Sequence, residues 1–129
     1  MPNIRRVLVT GASGKLGGAL CEALVEADYQ VAGMSRRLPV GVPGIEEVRA
    51  DVADHTAVDE LVSCSDAVIH LATGKEDREA VIGTSARGTF NVLDAAMRTK
   101  TPRRVILASG DAVNGIYPVS YTHLTLPTN

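Results

Sequence analysis

VLVTGASGKLGGAL, residues 7–20, decides how this chain folds. An apolar, β-branched run ends at Thr10, and glycines follow at positions 11, 14 and 17. Leu16, Ala19, Leu20, Ala23, Leu24 and Ala27 then recur at helical spacing. The pattern predicts a buried strand over 5–10, a tight turn, and an amphipathic helix over 15–27. Glycines in such a turn let the backbone bend sharply and approach a pyrophosphate, which then faces the N–H groups and positive end of the helix. The general dinucleotide fingerprint places its first glycine at position 12, where this chain has Ala12. A P-loop needs Gly at position 9 and Ser or Thr at 16, and the chain has Val9 and Leu16. The alternative is a glycine-rich turn that binds nothing; a strand and a helix on its two sides favour binding.

Working outward, short β-branched runs alternate with helical periodicity. YQVAGMS (29–35) reads as a second strand, LPVGVPG (38–44) as a turn-rich connector, and IEEVRAD (45–51) as a third, more exposed strand. DHTAVDELVSC (54–64) reads as a short helix capped by Asp54, with Val58, Leu61 and Val62 on one face. DAVIHLA (66–72) and RRVILASG (103–110) supply a fourth and a fifth strand. Between them a long helix is predicted over 76–98, with Ile82, Ala86, Phe90, Leu93 and Met97 in near-regular steps. Gly83 and Gly88 weaken its propensity, which points to close packing of the helix on a neighbour. Strands alternating with helices imply parallel pairing with right-handed crossovers, hence an α/β fold with a doubly wound parallel sheet.

The composition is that of one ordinary globular domain: 129 residues, 22% charged and 45% hydrophobic. A net charge of −2 argues against nucleic acid or an anionic membrane as a partner. Cys21 and Cys64 lie far apart with no CxxC or Cys/His cluster, so neither a metal site nor a disulfide framework is expected. No signal segment or membrane span is read, and the expected location is cytoplasmic.

A dinucleotide site commonly carries an acidic side chain at the end of its second strand, to bind the ribose hydroxyls. Here Ser35 holds that place and Arg36 and Arg37 follow. An Asp would repel the 2′-phosphate of NADP, whereas arginine offers it a planar, charged fork. The expected cofactor is therefore NADP, with NAD the alternative; two solvated arginines at a strand end would be the plainer explanation. His70 ends an apolar strand and is read as a packed, hydrogen-bonded core residue.

Thr10-Gly11-Ala12-Ser13-Gly14-Lys15-Leu16-Gly17 matches TGxxGxxG, and so resembles the extended and atypical branches of the short-chain dehydrogenase/reductase family, which include the NAD-dependent epimerase/dehydratase group. ADV at 50–52, IHLATGK at 69–75 and SARGTFNVLDAA at 85–96 are similar to further motifs of that family, in the same order. The resemblance runs from Thr10 to about Gly115 and implies a Rossmann fold. It implies a cofactor site built from Gly11, Ser13, Gly14, Lys15, Leu16 and Gly17 in the loop, with Ser35, Arg36 and Arg37 beside it. Asp51 and Val52 would meet the adenine, and Leu71, Ala72 and Thr73 the ribose and pyrophosphate. The implied chemistry is hydride transfer between the nicotinamide and a small hydroxyl or carbonyl substrate, such as a nucleotide sugar, in a homodimeric parent protein.

The chain also departs from the family's pattern. Ser85 stands where an Asn is usual, and Gly110 aligns with the active-site serine position, which leaves neighbouring Ser109 as a candidate catalytic group. A strand-end serine near the nicotinamide is the preferred reading of Ser109. Asp111 either caps the next segment or contacts substrate. The family's Tyr and Lys come as YxxxK because residues four apart share a helical face. The lysines are Lys15, Lys75 and Lys100, preceded at four residues by Gly11, Leu71 and Ala96, and Tyr121 is followed at four residues by Thr125. YxxxK is therefore missing, and the chain as written is expected to turn over nothing.

VSYTHLTLPT at 119–128 resembles one reading frame of a transposon-based DNA-sequencing adapter. Residues 1–117 are accordingly expected to form an incomplete Rossmann domain, and 118–129 a non-native, disordered tail. Truncation is expected to expose apolar surface on the fifth strand and the long helix. A rival expectation for the parent protein is a non-catalytic NADP-binding redox sensor.

Overall fold

The structure, a computed structural model, describes residues 3–74, 76–102 and 104–109. The readings made for Lys75, Gly110, Asp111, Tyr121 and the tail fall outside them. Five strands and their connecting helices follow in strict alternation, apart from the direct β2–β3 link. They are β1 (Arg6–Thr10), α1 (Lys15–Glu26), β2 (Gln30–Ser35), β3 (Glu46–Arg49), α2 (His55–Ser63) and β4 (Ala67–His70). A continuous helical stretch comes next: α3 (Arg78–Ala80), a π-helical segment (Val81–Arg87) and α4 (Gly88–Thr99), before β5 (Arg104–Leu107).

Every strand pairing is parallel and the sheet order is β3-β2-β1-β4-β5. The order reverses between β1 and β4, as in a Rossmann sheet, and a crevice opens there at the carboxyl ends of the strands. Strict alternation along the strands builds two cores. Leu8, Ala32, Met34 and Val68 meet Val58 and Val62 of α2 and Val92 and Ala95 of α4 on one face. Val7, Val9, Val31 and Ala67 meet Cys21 of α1 and Val42 on the other. With both faces covered, β1 and β4 read as continuous apolar runs.

Two details set the helices. The Asp54 carboxylate accepts the N–H groups of Thr56 (3.1 Å) and Ala57 (3.3 Å), the expected cap of α2. From α4, the Asn91 amide donates to the Val52 carbonyl, in the link between β3 and α2, at 2.8 Å in a buried bond.

Two sequence expectations need correction. The buried stripe of α1 is Gly17 and Cys21, with Leu20, Leu24 and Val25 packed beside them, whereas Leu16, Ala19, Ala23 and Ala27 are exposed. Gly17 has to pass against the Gly11 carbonyl, and that approach fixes the rotation of the helix. The stretch predicted as one regular helix over 76–98 widens into π geometry at Val81–Arg87. Its two glycines also differ: a methyl on Gly88 would strike Val52, the expected close packing, but Gly83 faces open space. The apolar surface expected to be exposed on the long helix is exposed, with Phe90 and Met97 65% and 77% exposed. Ile106 and Leu107 of β5 are exposed as well.

Candidate functional site

A cleft of about 270 Å³ lies at the carboxyl ends of β1, β2 and β4. Its inner wall is the turn between β1 and α1. Gly11 adopts φ +71°, and a methyl there would lie 2.9 Å from the Ala72 nitrogen and the Leu71 carbonyl carbon, so only glycine fits. Gly14 opens α1 without a side-chain cap, and the first turn of the helix carries no acidic residue. That leaves the positive end of a twelve-residue helix, reached through a turn without bulky side chains, for an anion.

The floor is the segment after β4. Thr10 is fully buried, and its hydroxyl oxygen accepts the N–H groups of Leu71 (3.1 Å) and Ala72 (3.2 Å). Ser85 fastens the far end of the segment, its hydroxyl accepting the Gly74 N–H at 2.9 Å and donating to the Gly74 carbonyl at 3.0 Å. The outer wall is the end of β2. Ser35 is 6% exposed; its hydroxyl donates to the Ser13 hydroxyl at 2.7 Å and accepts the Arg37 N–H at 3.1 Å. Arg36 and Arg37 border the cleft with their side chains exposed. Opposite them, Asp51 turns its carboxylate to accept the Ala53 N–H at 2.9 Å, and Val52 is buried.

Gly11, Ser13 and Gly14 line this one cleft together with Ser35, Arg36 and Arg37. Asp51, Val52, Leu71, Ala72 and Thr73 line it as well. Lys15, Leu16 and Gly17 do not: Lys15 and Leu16 project from the start of α1 into solvent, and Gly17 is buried beneath the turn. Ser109 is exposed beyond β5 and is not among the lining residues. Four lining residues were not assigned from sequence: Met34, Ala50, Glu76 and Thr84. Met34 and Ala50 are immediate neighbours of assigned positions, and Thr84 is a buried polar residue one turn before Gly88. Glu76 carried no signal.

His70 lies behind the floor, 4% exposed, with Nδ1 2.7 Å from the Thr10 hydroxyl and Nε2 3.0 Å from the Thr89 hydroxyl. Burial holds its pKa below the ordinary imidazole value, so the ring is neutral at pH 7. It does not line the cleft, in keeping with its reading as a hydrogen-bonded core residue. Among the described residues no cluster of metal-ligating side chains occurs, and no helix is long and apolar enough to cross a membrane.

A sequence model of the NAD dependent epimerase/dehydratase family matches residues 7–128. The chain belongs to this family. The match runs through 118–128, the segment that resembles translated adapter. The uronate dehydrogenase of Pseudomonas putida is 34% identical over 116 residues, covering 87% of this chain and 43% of that protein. The 2-alkyl-3-oxoalkanoate reductase of Stenotrophomonas maltophilia is 45% identical over 113 residues, covering 84% and 34%. Among solved structures of the same fold, a point mutant of uronate dehydrogenase from Agrobacterium tumefaciens complexed with NAD superposes with a TM-score of 0.73 at 30% identity, covering 83% of this chain and 41% of that one. The Bordetella bronchiseptica enzyme WbmH in complex with NAD+ does so with a TM-score of 0.79 at 25% identity, covering 98% and 48%. The chain thus spans less than half the length of these relatives.

Proposed function

We propose that this chain is the dinucleotide-binding part of an oxidoreductase or epimerase/dehydratase acting on a hydroxyl or carbonyl substrate such as a nucleotide sugar, and that its site prefers NADP to NAD. The preference rests on one observation: a small hydroxyl, Ser35, occupies the buried position at the end of β2, and Arg36 and Arg37 border the cleft directly after it. A carboxylate at that position would repel a 2′-phosphate; a hydroxyl does not, and the guanidinium groups can pair with it bidentately. The cofactor's pyrophosphate fits the turn, where Gly11 leaves no room for a side chain and the α1 terminus faces the cleft. When bound, the nicotinamide supplies the hydride chemistry; the residues described here bind and orient it. Without YxxxK the chain itself has no Tyr–Lys pair to move the substrate proton, and turnover by the chain as written is expected to be absent.

A second reading, a non-catalytic NADP-binding sensor, draws support from Ser85. Its hydroxyl is engaged with both backbone groups of Gly74, so it takes a structural role at a position where the family usually has Asn. Titration with NADP and NAD, on the chain and on Arg36→Ala, tests the proposal. The expected result is tighter NADP binding that the substitution reduces by about tenfold, the equivalent of roughly 1.4 kcal/mol, with NAD binding little changed. Equal affinities for the two cofactors would remove the arginine argument.

A further inference from the structure

The Thr10 hydroxyl oxygen already accepts two backbone N–H groups, from Ala72 and from Leu71, whose N–H it shares with the Thr10 carbonyl (3.1 Å to the hydroxyl, 3.3 Å to the carbonyl). Its two lone pairs are thereby occupied. The 2.7 Å contact with His70 Nδ1 must then run the other way, the hydroxyl donating and the ring nitrogen accepting. An Nδ1–H tautomer would aim a third donor at a filled oxygen and leave the hydroxyl proton without its acceptor. With Nδ1 unprotonated, the neutral ring carries its proton on Nε2 and donates to the Thr89 hydroxyl at 3.0 Å. A chain of hydrogen bonds therefore runs from α4 through β4 and β1 to the amides of the cleft floor: Thr89, His70, Thr10, then Leu71 and Ala72.

We propose that His70 is a positioning residue, whose unprotonated Nδ1 fixes the direction of the Thr10 hydroxyl so that its oxygen holds the Leu71 and Ala72 peptides under the glycine turn. The fit at that point is tight. Gly11 packs on these same two residues, with space for a hydrogen and not for a methyl. A shift of the Leu71–Ala72 peptide therefore shifts the turn as well, and the cleft loses its shape from the inside. Burial supports the assignment, because it disfavours the doubly protonated ring that would have no acceptor for Thr10.

The consequence for affinity rests on the cleft being a dinucleotide site; the tautomer and the floor geometry do not. The experiment has matching arms on the 129-residue chain. Histidine 15N spectra of the wild type at pH 7.5 should show His70 with an unprotonated Nδ1 and a protonated Nε2; protonated Nδ1 overturns the proposal. In His70→Leu the acceptor is gone, and amide exchange at Ala72 should accelerate about tenfold or more, the scale of one buried hydrogen bond, with a smaller change at Leu71, which keeps its bond to the Thr10 carbonyl. His70→Asn, which can place its amide oxygen near the position of Nδ1, should restore most of the protection and of the NADP affinity while lacking any link to Thr89. Equal behaviour of the Leu and Asn variants overturns the proposal, as does wild-type exchange in the Leu variant. If the wild type binds neither NADP nor NAD, the functional reading fails, and the spectra and exchange rates still decide the role of His70.

Discussion

Ser35 and Ser13, 22 residues apart, meet hydroxyl to hydroxyl at 2.7 Å and tie the end of β2 to the glycine turn. The Arg37 N–H completes the arrangement by donating to Ser35 at 3.1 Å. A carboxylate at position 35 would keep the Arg37 N–H as a donor and accept from the Ser13 hydroxyl once that turns its proton round, so Ser35→Asp is the substitution that can reverse cofactor choice without rebuilding the cleft. It should weaken NADP binding by at least about tenfold, since two like charges 4 Å apart repel by roughly 4 kcal/mol at an effective dielectric of 20. NAD binding should hold or improve. Parallel titrations with the two cofactors give the ratio.

Gly17→Ala tests the turn from beneath. The added methyl would collide with the Gly11 carbonyl and crowd Ala12, both backbone, so the loop must move. Dinucleotide affinity should fall by at least about tenfold, or 1.4 kcal/mol, while the far-ultraviolet circular dichroism keeps its α/β shape. Unchanged affinity would show that the turn does not form part of the binding surface.

Asn91→Ala removes the donor to the Val52 carbonyl on the far side of the cleft. A buried carbonyl left without its partner costs about 1–3 kcal/mol. Thermal unfolding should accordingly shift down by at least about 3 °C, since 1 kcal/mol moves the midpoint by about 4–8 °C in domains of about 60–100 residues and by about 2–4 °C in those of about 150–250, which bracket this chain.

Acid should destabilise the fold through His70. Burial lowers its pKa in the folded state, so the unfolded chain binds the proton more readily. Stability from this group is fully present above the unfolded imidazole value of about 6.5 and is lost as pH falls from there through the lower folded value. Urea midpoints measured from pH 8 to pH 5 should stay level and then decline, and His70→Asn should flatten the decline.

Most of the frame was legible in the sequence because it is written in short-range patterns. Glycines between an apolar run and a helix, Asp54 ahead of Val58, and alternating strands and helices each report a local physical need, and the parallel sheet follows from them. What escaped lies in contacts between distant segments. The rotation of α1 is set by Gly17 against Gly11, not by the count of apolar residues on each face, so Leu16 ended outside. The π turn brings Thr84 to the cleft and Ser85 to Gly74, and nothing in a 3.6-residue period announces it. The cleft residues named from sequence came together because each follows the carboxyl end of a strand; Glu76, in a loop with no such anchor, did not announce itself.

The most direct measurement is an amide chemical-shift titration of the 15N-labelled chain with NADP. The account predicts saturable changes concentrated at Gly11, Ser13, Gly14, Ser35, Arg36, Asp51 and Thr73, around one cleft. It predicts no comparable change along the exposed face of α4 at Phe90 and Met97. A spectrum that NADP leaves unmoved, or changes centred on α4, would contradict it.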